Sequence, residues 1–327
     1  MSARTRFAIL ALGLALGVAC GKPRAAVGRI VVAVTVDWEG AELSPEGLDA
    51  IDELRKRLGP APLTHFVSAA YFTKDRPDPR AIAVVSEAIR PGDELAVHLH
   101  AWRSLARASG IEPKLSPSFV TGTDKLFEFE DGDVGFDTDL DVYTVTELRA
   151  MVRTSRRLLQ QTRVPVSRSF RAGGYLGTPR VLQAIREEGY TADSSATDYH
   201  QIDEGKTTFM LKRVQEVWPA IETTSQPYLV GPAGGLVELP IAATADYVTA
   251  ADLVKSFDAA AVRLRAAPTR DVFVVIGCNL ETSQDFAGRL GEAISALRAQ
   301  PGRAEQLLFT TVEAAALRAR ASLAPVP

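Results

Sequence analysis

The chain has 327 residues, a formal net charge of −3, four histidines and two cysteines. That length suits one large α/β domain or two ordinary ones and buries a substantial core. Its 37 Lys and Arg residues are scattered among 40 Asp and Glu, so nothing in the charge argues for nucleic acid or for an anionic membrane surface.

At the N-terminus, Arg4 and Arg6 precede an apolar run from Phe7 to Ala19. The run is too short to span a bilayer comfortably, and it has the n-region and h-region of an export signal. It ends Leu16-Gly17-Val18-Ala19-Cys20-Gly21. Small residues before a cysteine resemble a bacterial lipobox, in which that cysteine becomes the lipidated first residue, although Gly17 stands where leucine is commoner. Residues 1–20 therefore read as an export signal with Cys20 as the lipidation site. A cleaved soluble signal and an uncleaved anchor are the other readings. Residues 21–29 read as a tether. The expectation is a lipoprotein anchored to the membrane of the bacterial envelope and facing the periplasm. With Cys20 lipidated, Cys278 has no partner and the fold has no disulfide.

From Arg29 onward, short apolar runs alternate with helical patterns. Residues 29–36 are almost continuously apolar and β-branched, the mark of a buried strand. A helix is predicted over 44–58, with Ser44 as N-cap and Pro45 at its first position. Strands follow at 63–69 and 94–98, with a helix at 79–89 between them. A strong helix at 144–161 precedes a strand at 167–171, a helix at 178–188 and a short strand at 191–194. Residues 228–230 and 236–239 flank Gly231-Pro232-Ala233-Gly234-Gly235 and read as a hairpin. The chain closes with a helix at 249–266, a strand at 271–276, a helix at 284–299, a strand at 307–310 and a helix at 313–321. Repeated alternation implies parallel strands joined by helical crossovers, and seven or eight strands suit a closed or nearly closed barrel. An insertion is expected at 106–142, rich in Asp, Glu and Phe; it is a lid, a wall of a substrate groove or a plain surface loop.

Functional residues of such barrels sit where strands end. The first strand ends Asp37-Trp38-Glu39, and the third ends His98-Leu99-His100-Ala101-Trp102. In extended chain, residues i and i+2 point to the same side, so both histidines can face one point. Imidazole nitrogen plus carboxylate oxygen is a normal shell for zinc and acceptable to cobalt, nickel or manganese. Two histidines and one carboxylate leave a position open, the catalytic rather than the structural pattern.

These strand ends, taken in order with Phe170-Arg171-Ala172-Gly173-Gly174-Tyr175, Asp193-Ser194-Ser195 and Val237-Glu238-Leu239-Pro240, resemble the polysaccharide deacetylases, the NodB-homology or family-four carbohydrate esterases. The likeness runs from about Ile30 to Ala315. It implies one domain over residues 30–321, a distorted (β/α) barrel of about seven strands. It also implies hydrolytic deacetylation of an acetylated glycan of the cell envelope or an exopolysaccharide. In that scheme Glu39, His98 and His100 hold a divalent metal, zinc first, which polarises the acetamide carbonyl and acidifies water. Asp37 is the base, and Arg171, a permanent cation, keeps it ionised and aimed. A backbone N–H near Gly173 or Tyr175 stabilises the oxyanion. Trp38, Trp102 and Tyr175 either stack on a sugar ring or merely pack.

Two departures stand out. The family's histidines are usually four residues apart, and here they are two apart. The late strand, Val274-Val275-Ile276-Gly277-Cys278-Asn279, lacks the histidine that acts as general acid. Cys278 reads as a semi-buried thiol or an extra soft ligand, and His200 as a substitute acid from another strand. His65, inside an apolar strand, reads as structural. The missing histidine also leaves room for a catalytically weakened barrel that binds glycan or metal.

Overall fold

The computed structural model describes residues 27–202, 204–231 and 235–323. The export signal, Cys20 and residues 21–26 of the tether lie outside the described residues.

In chain order the strands are β1 (Ile30–Trp38), β2 (Leu63–Ser68), β3 (Glu94–Leu99), β4 (Val166–Ala172), β5 (Ala192–Asp193), β6 (Tyr228–Val230), β7 (Leu236–Glu238), β8 (Ile241–Thr244), β9 (Val272–Asn279) and β10 (Leu307–Thr310). The helices are α1 (Pro45–Leu58), α2 (Ala81–Ala88), α3 (Arg103–Ala108), α4 (Val145–Leu159), α5 (Pro179–Glu187), α6 (Glu204–Val217), α7 (Ala250–Ala266), α8 (Ser283–Ala299) and α9 (Val312–Leu323). Local chemistry explains their limits. Ser44 Oγ accepts the Gly47 N–H at 3.0 Å and Pro45 opens α1. Thr144 with Glu147, and Thr249 with Asp252, form reciprocal capping boxes at the starts of α4 and α7.

The sheet runs β6-β7-β5-β4-β3-β2-β1-β9-β8, parallel except for the β6–β7 hairpin, and β10 pairs with the start of β1. β1 is buried at all nine positions, as expected for a central strand covered on both faces. Pro240, with no N–H to give, separates β7 from β8. The chain through 236–244 therefore pairs first with β5 and then with β9. Hydrogen bonds from Leu239 N to Asp193 O and from Ile241 N to Ala196 O, both 2.8 Å, hold the crossing. The sheet thus curls round to meet itself, and β1, β2, β3, β4, β5, β7–β8 and β9 make seven positions of a distorted (β/α) barrel.

The structure departs from the sequence expectations in two ways. β1, β3, β4 and β9 run one to three residues further than their apolar runs, because the ladder continues through polar residues. Asp37 and Trp38 still pair with Phe66 and Val67. Three elements, α3, α6 and β8, had no counterpart in the sequence reading. Residues 109–139 carry no helix or regular strand and are tied by bridges Ser118–Thr138 and Glu128–Val134. No helix of the described residues is long and apolar enough to cross a membrane.

Candidate metal centre

Asp37, Glu39, His98, His100 and Asn279 gather at the C-terminal ends of β1, β3 and β9 and line one pocket of about 140 Å³. Asp37 stands directly across from Asn279 in the β1–β9 register. Glu39 lies one residue past β1 and returns to the same side. Its Oε2 is 2.5 Å from His100 Nε2 and 3.3 Å from His98 Nε2, and the two imidazole nitrogens are 3.2 Å apart.

The other ring nitrogens are engaged. His98 Nδ1 is 3.0 Å from the Arg171 carbonyl, and His100 Nδ1 is 2.6 Å from the Phe136 carbonyl. A carbonyl can only accept, so both rings carry their proton on Nδ1 and turn an Nε2 lone pair inward. Two imidazole Nε2 atoms and a carboxylate therefore converge on one point, where either a proton or a metal cation relieves the crowding of lone pairs. Burial alone would lower the proton affinity of His98, but the charges of Glu39 and Asp37 and its hydrogen bonds outweigh that and raise it. Burial likewise pushes Glu39 up, and His100 and His98 together hold it well below the usual carboxylate range. The donor set fits a divalent metal with a position left open. Among the described residues it is the one group of three or more His, Cys, Asp or Glu side chains so placed.

Asp37 sits beside this group on Arg171. The buried guanidinium gives NH1 to Asp37 Oδ1 at 2.6 Å and to Thr35 Oγ1 at 2.8 Å. Its Nε binds the Ser194 carbonyl at 2.6 Å and its NH2 binds Ser194 Oγ at 2.9 Å. The Phe66 ring lies 4.3 Å from the guanidinium carbon. Four hydrogen bonds and a ring face hold Arg171 in place, and it fixes Asp37 through Oδ1 while Asp37 lines the pocket.

The remaining expected residues divide. Tyr175 lines the pocket, with φ +64 following Gly174 at φ +60. Strained left-handed backbone at a non-glycine residue is characteristic of functional sites, and the Trp218 indole holds it by donating to the Tyr175 carbonyl at 2.7 Å. Gly173 lies behind the ligands. A Cβ there would fall 2.5 Å from His100 Cε1, so glycine makes room for the imidazole. The expectation of sugar stacking by the two tryptophans is corrected. Both are fully buried. Trp38 donates its indole N–H to His65 Nδ1 at 3.0 Å, and Trp102 donates to the Glu39 carbonyl at 2.9 Å. They brace the site from behind. His200 is corrected too. Its side chain is 69% exposed, 2.8 Å from Asp198, in a separate cleft with Gln201 and Lys255. His65 is buried between Trp38 and Arg55, as a structural histidine. Cys278 is buried and its thiol is pushed well up by desolvation; it forms no part of the donor cluster.

Several lining residues lie outside the strand-end motifs, although a groove wall is one of the readings of the insertion. Phe119, Val120 and Phe136 reach the pocket from the irregular insertion, Met210 from α6, and Tyr247 from the loop after β8. Asp246 accepts the Asn279 N–H at 3.1 Å, and burial pushes its carboxyl up to about 6.

The fold is a distorted (β/α) barrel of the NodB type. Among solved structures, the chain is similar to one described as a polysaccharide deacetylase of Mycobacterium smegmatis (TM-score 0.52, 15% identity, 94% of this chain and 95% of that one). It is similar to another so described from Pseudomonas aeruginosa PAO1 (TM-score 0.52, 14% identity, 89% and 91%). It is also similar to the allantoinase PuuE (TM-score 0.51, 13% identity, 92% and 93%). No protein-family model matches the sequence, and no curated protein matches it.

Proposed function

We propose that the chain is a metal-dependent hydrolase that removes acetyl groups from an acetylated glycan of the cell envelope or an exopolysaccharide. One observation carries the reading: two imidazoles locked by backbone carbonyls present free Nε2 atoms to Glu39, with Asp37 held beside them by Arg171. Glu39, His98 and His100 would hold the ion, zinc first, with cobalt, nickel or manganese as substitutes. When bound, such an ion polarises a carbonyl and makes water more acidic. Asp37 takes the proton of the attacking water through its free oxygen, and Arg171 keeps that carboxylate charged and pointed. A backbone N–H of the left-handed turn at Gly174 and Tyr175, both of which line the pocket, would stabilise the developing oxyanion. Phe119, Phe136 and Met210 exclude water from the acetyl group. Lipidation at Cys20 would keep the domain at the membrane of the envelope, facing the periplasm.

A second reading, a barrel that binds glycan without turning it over, is favoured by one feature. Asn279, an amide with no proton to give, faces Asp37 where the family places an acid, and His200 points into another cleft. The experiment that separates the two is acetate release from chito-oligosaccharides by the mature domain, beside Asp37→Asn, together with metal analysis of wild type and His98→Ala. The hydrolase reading expects one metal per chain, lost in His98→Ala, and acetate release lost in Asp37→Asn. Release equal to that of Asp37→Asn, with glycan binding intact, establishes the binding reading. Absence of metal even after reconstitution overturns the metal site and the hydrolytic mechanism together.

A further inference from the structure

Glu39 lies just beyond the last residue of β1, so the strand ladder no longer holds its peptide. Its N–H turns instead to the carboxylate of Glu281 in the β9–α8 loop, at 3.1 Å from Oε1 and 3.2 Å from Oε2. The same Oε1 accepts the Ala41 N–H at 3.4 Å and the Tyr71 hydroxyl at 2.6 Å. On the other side, the Glu39 carbonyl accepts the Trp102 indole. The loop that carries Glu281 is itself pinned, since Leu280 N donates to Asp37 O at 2.7 Å. Gly40, at φ +86, turns the chain between the two N–H groups that Glu281 gathers, and a Cβ there would meet Ser68 Oγ at 2.7 Å.

We infer that Glu281 is a positioning residue of the metal centre: it clamps the Glu39 and Ala41 peptides so that the Glu39 carboxylate meets both imidazoles. The inference rests on the metal reading of Glu39, His98 and His100. Glu281 touches no ligand side chain. It acts on the backbone that aims one, and partners of this kind typically alter metal affinity by roughly 10- to 100-fold.

The test is zinc affinity of the mature protein by competition with a chromophoric chelator, with the visible spectrum of the cobalt-substituted protein and the melting temperature of the chelator-treated protein. Glu281→Ala is expected to weaken zinc binding by about 10- to 100-fold and to alter the cobalt spectrum. Glu281→Gln keeps an oxygen for the three donors and is expected to bind zinc nearly as wild type does. If Glu281→Ala does not fold, Glu281→Asp, which withdraws the carboxylate by one methylene, is expected to show the same loss. A lowered melting temperature with unchanged zinc affinity overturns the inference, as does a Gln variant impaired as much as the Ala variant. Wild-type protein that binds no zinc overturns the metal reading itself, an outcome distinct from wild type and Glu281→Ala binding it equally.

Discussion

Asp193 and Glu238 form a carboxyl pair with no access to water, and replacing one with an amide makes a sharp prediction about stability. Both residues are fully buried and lie opposite each other in the β5–β7 register. Asp193 Oδ1 accepts the Ser195 hydroxyl at 2.8 Å, and Glu238 Oε1 accepts the N–H groups of Ser195 and Ala196 at 3.2 and 2.9 Å. The other two oxygens, Asp193 Oδ2 and Glu238 Oε2, have no other hydrogen-bond partner among the described residues. Two buried carboxylate oxygens facing each other must share a proton. Burial raises both groups, and the neighbouring Asp193 charge raises Glu238 further.

In the unfolded chain the same groups release their protons near about 3.9 and 4.3. Above that range the folded state binds one more proton than the unfolded state. The pair's contribution to stability is therefore fully present below pH ~4 and falls as pH rises toward the folded value, by about 1.4 kcal/mol per pH unit. Glu238→Gln replaces the shared proton with a permanent N–H. Its amide nitrogen donates to Asp193 Oδ2, and its oxygen keeps the bonds from Ser195 and Ala196. The measurement is urea unfolding of chelator-treated wild type and variant at pH 5, 6 and 7. Every other titrating group is common to both proteins and cancels in the difference. The stability of the variant relative to wild type is expected to rise by about 1.4 kcal/mol per pH unit. A difference that stays flat over the same range refutes the shared proton.

Three further outcomes follow from the site's geometry. Gly173→Ala puts a Cβ 2.5 Å from His100 Cε1, so the ring must tilt, and zinc affinity measured by chelator competition is expected to fall about 10-fold or more. Arg171→Lys keeps a positive charge but cannot reach Asp37, Thr35 and Ser194 together. Acetate release is expected to fall about 100-fold or more while metal content per chain, by elemental analysis, is retained. His200→Ala is expected to leave acetate release and its pH profile unchanged, because the side chain faces solvent beside Asp198 rather than the metal pocket.

The convergence of the candidate metal donors was legible because each depends on local chain geometry. An apolar β-branched strand ends, polar residues two apart follow, and alternation sends both to one side. The same rule explains the failure at Trp38. It lies between Asp37 and Glu39, so alternation points it to the opposite face, where it meets His65. Trp102 escaped because it lies three residues past the end of β3, at the start of the next helix, where parity no longer holds, whereas Glu39 and His100 each lie only one residue past their strands. β8 was hidden for another reason. Its four residues follow Leu239-Pro240 and look like the tail of the hairpin, while their pairing is with β9, more than thirty residues away. With β8 unread, Asp246 and Tyr247 behind it could not be placed. Phe119 and Phe136 were illegible in principle, because the backbone that carries them has neither of the two periods on which pattern reading rests.

The insertion is nevertheless where the two halves of the site join. His98 takes its orientation from the Arg171 carbonyl, on β4 of the barrel, whereas His100 takes it from the Phe136 carbonyl, in the insertion. The Phe136 ring also stacks on the His100 imidazole, centroids 4.4 Å apart and planes 13° apart, and both Phe119 and Phe136 wall the pocket. The segment that walls the pocket is thus the segment that orients one candidate metal donor. Asp137 ties it down by accepting the Ser118 hydroxyl and the Phe127 N–H. Any shift of this wall must move the carbonyl that orients His100, so on the proposed reading metal affinity and access to the pocket would be coupled through one backbone bond. The spacing of two between His98 and His100 makes this coupling possible: it places the second imidazole past the end of β3, beyond the reach of the strand ladder, where the insertion supplies the partner.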